Sequence, residues 1–534
     1  MKFPEYKGLD LPKVAEEILN YWQENNIFEK SVTSRENAKP YVFFEGPPSA
    51  NGLPGVHHVL ARAIKDIFPR YKTMKGYQVK RKAGWDTHGL PIELGVEKEL
   101  GITKEDIGKK ISVEDYNAAC RKAVMRYTDI WNDLTEKMGY WVDMEDPYIT
   151  YEPKYMESVW WLLKQIYNKE LIYKGYTIQP YSPKAGTGLS SHELNQPGTY
   201  QDVTDTTIVA QFKVIESTLP DSLKKYDHLN FIAWTTTPWT LPSNTALTVG
   251  PKIEYVVVAT YNQYTFEPVH VILAKKLVGK QFGGKNNFEA KTVEELSAYN
   301  SGDKKIPYLI CSEHKGADLV GIKYEQLLDY VLPNDNPQDA FRVISGDFVT
   351  TEDGTGIVHT APTFGQDDAV VAKQAIPEIP PMLVKDENDN LVPLVDLQGK
   401  FRPEVTEFAG KYVKNEYYAD GEAPDKSVDV EIAIKLKIEN KAFKVEKYKH
   451  SYPNCWRTDK PILYYPLDSW FIKVTDVKDR MHELNKSINW KPESTGTGRF
   501  GNWLANANDW NLSRSRYWGI PLPIWRTEDG KEEI

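Results

Sequence analysis

The spacing of apolar positions predicts helices and strands in the first 200 residues. Apolar residues recur every three or four positions over residues 120–138 and again over 156–167, which is typical of amphipathic helices with one buried face. Ser112 precedes the first of these stretches, and Asp115 follows it by three residues as a capping-box partner. Residues 1–200 are therefore predicted to be an α/β region.

Beyond residue 200 the pattern changes to short apolar runs separated by turns, which predicts a β-rich module inserted over residues 201–390. Residues 391–450 are expected to be a connective segment, charged and helical from 424 to 445. Residues 451–534 are expected to return to α/β structure. The predicted strands lie at residues 208–214, 231–234, 255–259, 270–273 and 356–359.

Composition narrows the class of protein. The 534 residues carry a net charge of −9, which argues against a chain coated with basic charge but permits a local RNA-binding face. The three cysteines, at 120, 311 and 455, are far apart, so neither a disulfide framework nor a Cys-x-x-Cys zinc site is expected. The N-terminus lacks the apolar core of a signal peptide, and no apolar run reaches about 20 residues. We expect a cytoplasmic protein without membrane contact.

Residues 41–66 hold the first candidate chemistry. Residues 41–44 are apolar, residues 46–55 are rich in Gly and Pro, and His57 and His58 open a stretch of helical composition. A strand, a tight turn and a helix start present backbone N–H groups and a positive dipole to a phosphate. An ordinary turn between a strand and a helix explains the same local pattern equally well.

This segment resembles the His-x-Gly-His signature with which class I aminoacyl-tRNA synthetases bind ATP. Here the four positions are Gly55, Val56, His57 and His58. His58 matches the second histidine, whereas Gly55 replaces the first and His57 replaces the glycine. The resemblance implies that ATP, with Mg²⁺, is bound here and that His58 and His57 act in catalysis. The implied ATP-binding residues are Gly46, Pro47, Pro48, Asn51, Gly55 and His58.

Two further strings resemble isoleucyl-tRNA synthetases, and leucyl and valyl relatives differ from the first of them. In residues 84–93, Asp86 would hold the α-ammonium of the amino acid, in a pocket that Pro47 also shapes. A lone Asp beside glycines is otherwise a turn former. In residues 501–519, Trp518 would line the pocket for the amino acid side chain. The alternative is a buried aromatic core with surface arginines.

Residues 234–244 and 354–368 resemble the two halves of the editing site in the same family. The threonine run would cradle the 3′-terminal adenosine with its amino acid, and Asp368 would bind the ammonium of a misattached residue. Phe364 stands where relatives often carry His. Threonines at a strand end also form local bonds to backbone, and Asp368 could instead cap the following helix. The implied editing residues are Thr235, Thr236, Thr237, Asn244, His359 and Asp368.

The resemblance covers essentially the whole chain. It implies a Rossmann-like catalytic domain interrupted by an editing domain, and a monomer that joins isoleucine to tRNA(Ile) and hydrolyses Val-tRNA. The second ATP signature, Lys-Met-Ser-Lys-Ser, and an anticodon-binding domain are absent, so we expect a complete editing module and an incomplete synthetic site. Cys455 and residues 181–185 stand where many relatives carry cysteine pairs, so no zinc is expected. The alternatives are a valyl or leucyl relative and a nucleic-acid-binding protein that reuses an inactive scaffold.

Overall fold

The computed structural model describes residues 8–528 and 531–534. They form two compact units, one containing the residues up to Tyr173 and from Phe471 onward, the other Lys174–Trp470. Residues 1–7, to which the signal-peptide argument applies, lie outside the described part. In that part no helix is both long and apolar enough to cross a bilayer.

The first unit is α/β and contains a three-stranded parallel sheet in the order β1-β2-β3. Gly84 in β2 is needed there because a β-carbon at this position would lie 2.3 Å from a ring atom of Tyr148 in β3. The elements before the second unit are α1 Leu11–Glu24, α2 Ile27–Thr33, β1 Pro40–Phe44, α3 Val56–Met74, β2 Gln78–Trp85, α4 Leu90–Leu100, α5 Val113–Val124, α6 Thr128–Lys137, β3 Asp143–Ile149 and α7 Pro153–Tyr167.

The helix predicted to begin after Ser112 does so, and the Ser112 hydroxyl accepts the Asp115 N–H at 3.0 Å. The continuous apolar stripe nevertheless belongs to two helices, α5 and α6. Between them the Tyr127 N–H donates to the Ala50 carbonyl at 3.0 Å. A bond to the glycine- and proline-rich loop therefore takes an N–H that a continuous helix would use internally.

The second unit is built on a ten-stranded sheet, and every strand predicted beyond residue 200 lies in it. Its path runs β11-β12-β9-β10-β7-β14-β8-β13, and β6 pairs with β7 and with β17. The elements are β4 Ile172–Ser182, β5 Thr187–Gly188, α8 Ser191–Leu194, β6 Tyr200–Lys213, β7 Leu229–Thr235, β8 Ala246–Val249, β9 Glu254–Tyr261, β10 Pro268–Ala274, α9 Val278–Phe282, β11 Asn287–Glu289, α10 Val293–Ser297, β12 Ile306–Lys315, α11 Gly316–Leu319, β13 Arg342–Ser345, β14 Ile357–Thr360, α12 Gln366–Gln374, β15 Leu383–Lys385, β16 Leu391–Pro393, α13 Val428–Ile438, β17 Ala442–Pro453 and β18 Leu463–Ile472.

The boundaries of this unit differ from those expected at residues 201, 390 and 450. Residues 391–450 are part of it, and β17 pairs along most of β6. The helix expected over 424–445 is shorter: α13 ends at Ile438 and Asn440 adopts a positive φ before β17 begins. The lysines of β17 hide its strand pattern, because a two-stranded ribbon with a solvated face needs little apolar alternation.

The chain then returns to the first unit. There Phe471 and Ile472, at the end of β18, pair with the short strand β19. The remaining elements are α14 Lys478–Asn485, α15 Glu493–Thr495, α16 Gly501–Ala505, β19 Trp510–Asn511, β20 Trp525–Arg526 and β21 Glu532–Glu533.

Candidate active and editing sites

The glycine- and proline-rich loop connects β1 to α3 and places His58 in the first helical turn. The His58 Nδ1 accepts the Gly55 N–H at 2.9 Å, and its ring lies against Trp131, with 4.7 Å between centroids. Burial, with the neighbouring His57, lowers the pKa of His58. With Nδ1 accepting, the neutral ring carries its proton on Nε2 and can donate from that atom.

Gly55 and His57 together explain how the altered signature is packed. A β-carbon at Gly55 would lie 2.8 Å from Cε1 of His57, so the His57 ring occupies the space beside position 55. The rings of His57 and His58 are 3.8 Å apart. The signature normally has a histidine at the position of Gly55. In this chain the His57 imidazole, two residues further on, lies beside that position.

Helix α6 fixes the loop on its other side. The Trp131 Nε1–H donates to the Gly52 carbonyl at 2.9 Å, which adds to the bond between Tyr127 and Ala50. Within the loop the Ser49 hydroxyl donates to Asn51 Oδ1 at 3.0 Å. The backbone of the implied ATP site is thus held partly by Tyr127 and Trp131, outside the segment that carries the resemblance, and partly by a bond within the loop.

Asp86 lies beside this loop, as the resemblance implies. Its backbone N–H donates to the Pro48 carbonyl at 3.0 Å, which joins the two strings at the end of β2. Partial desolvation raises the pKa of Asp86, and a hydrogen bond from the His88 N–H opposes this. Because the side chain itself remains exposed, we expect the carboxylate to stay ionised at neutral pH and to accept a cation.

Trp518 is buried and also lies at the wall of a cavity, and its contact with an amino acid side chain stays a prediction. It is 7% exposed, its Nε1–H donates to the Thr87 carbonyl at 2.6 Å, and its ring centroid is 5.3 Å from that of His88. The cavity beside it measures about 600 Å³ and also contacts Arg121 and Met156. Burial lowers the pKa of His88 to about 4, so this imidazole is neutral.

Two charged residues that the sequence analysis left without a role hold Trp518 in place. Glu93, 1% exposed, accepts the N–H groups of Tyr517 and Trp518 through Oε1 at 3.1 and 2.9 Å. Its other oxygen accepts Arg516 Nε–H at 2.7 Å, and Arg516 also contacts Glu97. An acidic residue inside the apolar face of α4 was the available signal, because a buried carboxylate requires a partner.

In the second unit, the two strings of the expected editing site lie side by side. Val358 of β14 pairs with Trp234 of β7 in parallel register. Thr235 ends β7, and its hydroxyl accepts the Thr237 N–H at 3.1 Å, which is the local bond expected of threonines at a strand end. The side chain of Thr236 is half-buried. The strings are adjacent, and one of the three threonine hydroxyls, that of Thr235, also shapes the local backbone.

His359 lies at the centre of a buried network. Tyr324 donates to Asn244 Oδ1 at 2.7 Å, so the Asn244 amide nitrogen donates to His359 Nδ1 at 2.8 Å. His359 Nε2–H then donates to the Thr240 hydroxyl at 3.0 Å, which donates to the Thr237 carbonyl at 2.8 Å. Burial lowers the pKa of His359 to about 3. This histidine is neutral and positions the threonine segment.

Asp368 does not cap its helix, so that alternative is wrong. Its Oδ2 accepts the Ala361 N–H at 2.8 Å, which ties the first turn of α12 to the end of β14. Burial, with a smaller contribution from Asp367, raises the pKa of Asp368 to about 6. Phe364, in the same loop, packs against Trp239 with 5.1 Å between ring centroids and belongs to the core.

A metal-binding cluster is not found among the described residues, where no three His, Cys, Asp or Glu side chains are placed to hold an ion. Cys455 still forms a tight turn, and its carbonyl accepts the N–H groups of Thr458 and Asp459. The Thr458 hydroxyl there is buried and without a partner in the described structure. The absence of zinc stays a prediction. Among the described residues, no cluster of carboxylates is placed to bind Mg²⁺ either.

Comparison with known proteins defines the class. The sequence pattern for tRNA synthetases class I (I, L, M and V) matches residues 17–534, and the chain belongs to this family. The resemblance and the α/β fold class predicted from the sequence are thereby confirmed.

The curated relatives indicate a particular member of this family. The whole chain is 64% identical to the isoleucine–tRNA ligase of Cytophaga hutchinsonii and covers 48% of that protein. It is 62% identical over its whole length to that of Bacteroides fragilis, covering 47%, and 44% identical over 99% of its length to that of Clostridium tetani, covering 45%. The chain thus spans about half the length of the curated relatives it matches.

Proposed function

We propose that this chain is part of an isoleucine–tRNA ligase, which activates isoleucine with ATP and transfers it to tRNA(Ile). The observation that carries this proposal is the hydrogen bond between the Asp86 N–H and the Pro48 carbonyl. It places a carboxylate suited to an amino acid's ammonium at the loop suited to a nucleotide's phosphates. The relatives named isoleucine–tRNA ligase favour isoleucine over valine or leucine as the substrate.

The first step is the attack of the isoleucine carboxylate on the α-phosphorus of ATP, which forms a new O–P bond and releases pyrophosphate. Asp86 holds the ammonium of isoleucine, while Pro47 and Trp518 line the pocket for its side chain. His58 donates Nε2–H to a phosphate oxygen, assisted by His57 and the N-terminus of α3. No side chain acts as a nucleophile, because positioning and charge stabilisation suffice.

The loop supplies the rest of the nucleotide site. Its backbone, including Gly46, Pro48, Asn51 and Gly55, approaches the nucleotide, and Mg²⁺ bound to the phosphates would neutralise part of their charge. Among the described residues, no group of three or more His, Cys, Asp or Glu side chains is placed to bind that ion.

ATP–pyrophosphate exchange by the protein expressed from its complete gene tests this proposal. Isoleucine should support fast exchange, valine slower exchange and leucine little. His58→Ala should lower the exchange rate about 10²-fold or more by removing a donor to the developing charge. Exchange that favours valine or leucine, or that is unchanged in the His58 variant, would contradict the proposal.

We propose that the second unit hydrolyses Val-tRNA(Ile). A hydrophobic pocket gains only about 1–3 kcal/mol from the one methylene by which isoleucine exceeds valine; this family is the standard example of that limit. Asp368 holds the ammonium of the misattached valine, and Thr235, Thr236 and Thr237 contact the terminal adenosine. His359 and Asn244 fix the backbone that presents them.

Hydrolysis of preformed Val-tRNA(Ile) by the 534-residue chain tests this second activity. Val-tRNA(Ile) should be cleaved and Ile-tRNA(Ile) spared. Equal rates for the two, or none for either, would contradict the assignment. We also propose a cytoplasmic monomer, and light scattering coupled to gel filtration should give a mass near 61.2 kDa for this chain.

A further inference from the structure

A buried charged cluster lies beneath the threonine-rich segment, and two of its central residues, Lys414 and Asp429, come from the segment expected to be connective. Asp429 stands in the first turn of α13 and is 4% exposed. Its Oδ1 accepts the backbone N–H of Trp239 at 2.9 Å. The bond joins α13 to the turn that follows β7.

The second oxygen of Asp429 faces a buried cation. Lys414 Nζ lies 3.9 Å from Asp429 Oδ2 and 3.2 Å from Asp205 Oδ2, and it also lies over the ring of Tyr452 at 4.7 Å. His450 Nε2 contacts Asp205 at 3.2 Å. Burial raises the pKa of Asp429 to about 6, and Lys414 opposes that rise. Lys414 thus balances the negative charge of Asp429 near Oδ2, while Oδ1 accepts the Trp239 N–H.

Trp239 is the point at which this bond can act on the proposed editing site. It lies in the 3₁₀ turn Pro238–Ser243, whose residues are all buried. That turn carries Thr240 and ends at Asn244, the two residues that bond to His359. The first N–H groups of a helical turn have no partner within it, so the carboxylate supplies one and fixes where the turn begins.

We propose that Asp429 is a positioning residue for the hydrolysis of mischarged tRNA, acting through the Trp239 N–H on the threonine segment. The inference rests on the proposed editing function. It assigns Asp429 no contact with substrate: the carboxylate sets the backbone path from Thr235 to Asn244, and Lys414 keeps that carboxylate ionised in a buried place.

Three variants of the complete protein test whether hydrolysis depends on the Asp429–Trp239 hydrogen bond or only on a balance of charge within the buried cluster. Asp429→Leu removes the acceptor, Asp429→Asn keeps an oxygen for Trp239 without the charge, and Asp205→Asn removes the closer partner of Lys414 but leaves Trp239 untouched. The measurement is single-turnover hydrolysis of Val-tRNA(Ile), together with tRNA affinity. The wild-type protein is assayed first, because failure there refutes the editing proposal itself.

We expect Asp429→Leu to lose about tenfold or more in hydrolysis rate, the size expected when a charge-assisted hydrogen bond is lost, with unchanged tRNA affinity. Asp429→Asn and Asp205→Asn should stay within about threefold of the wild type. If Asp429→Leu does not fold, Asp429→Leu combined with Lys414→Met also removes the buried cation that has lost one of its two acidic partners and should show the same loss. Wild-type hydrolysis in the leucine variants, or equal losses in all three single variants, overturns the proposal.

Discussion

Replacing Asp368 by Asn should stabilise the second unit while abolishing hydrolysis of Val-tRNA. The carboxylate is held against the Ala361 N–H in a site where burial raises its pKa from 3.8 to about 6. That change corresponds to about 3 kcal/mol of cost for the ionised form at pH 8. Asn is close in shape and can keep an oxygen on Ala361, so it removes the cost of burying the charge and retains the hydrogen bond.

The sign of the pH dependence follows from the proton count. Between pH 3.8 and about 6 the folded protein holds a proton on Asp368 that the unfolded chain has released. Wild-type stability relative to Asp368→Asn therefore falls as pH rises through this window. We expect the variant to be more stable by about 1–3 kcal/mol at pH 8 and indistinguishable from the wild type at pH 3.5.

Denaturant unfolding at pH 8 and pH 3.5, with Val-tRNA hydrolysis at pH 8, measures both effects. Asp367→Asn is the matched control, because Asp367 is exposed and contributes less than burial to the raised pKa of Asp368; it should change stability much less than Asp368→Asn and should leave hydrolysis intact. The wild-type kcat/KM for hydrolysis should also fall as pH drops below about 6, where Asp368 takes up a proton. A variant that is less stable than the wild type at pH 8, or that hydrolyses Val-tRNA at the wild-type rate, would refute the reasoning.

Three further variants test the remaining assignments. Asp86→Asn should abolish isoleucine-dependent pyrophosphate exchange in the complete protein without lowering the melting temperature, whereas Asp133→Asn, a control on the exposed face of α6, should do neither. Glu93→Gln should destabilise the first unit by about 3–5 kcal/mol, because it leaves a buried cation with one partner fewer, and should raise the KM for isoleucine; an unchanged melting temperature would contradict this. His359→Ala should lower stability by about 1–3 kcal/mol by orphaning its buried partners, and the wild-type hydrolysis rate should show no titration attributable to His359 above pH 4, since its pKa is about 3.

Local pattern predicted the elements well where one segment determines its own structure. The Ser112 cap and the strand–loop–helix passage into α3 need only neighbouring residues, and both form as expected. The break between α5 and α6 was missed because its cause is distant: the Tyr127 N–H is taken by Ala50. The spacing of apolar residues indicates which face of a helix is buried. It does not indicate which backbone N–H donates to a carbonyl in a distant loop.

The residues that position the candidate sites could not be predicted from the sequence for the same reason. Glu93 and Arg516 are 423 positions apart in the sequence, and Trp239 and Asp429 are 190 apart. Resemblance indicated Asp86 and Asp368 because such residues stand in recognisable strings. Glu93, Arg516 and Trp239 stand in such strings too, but each contacts a partner far away in the sequence, so only the fold shows what holds the strings in place.

ATP turnover to AMP by the complete protein with tRNA(Ile) and valine tests the combined account most directly. We predict steady AMP formation that requires tRNA(Ile), with no accumulation of Val-tRNA, because each mischarged product is hydrolysed; with isoleucine, AMP formation should instead stop once the tRNA is charged. Accumulation of Val-tRNA at the rate of AMP formation, or the same steady turnover with both amino acids, would contradict the account.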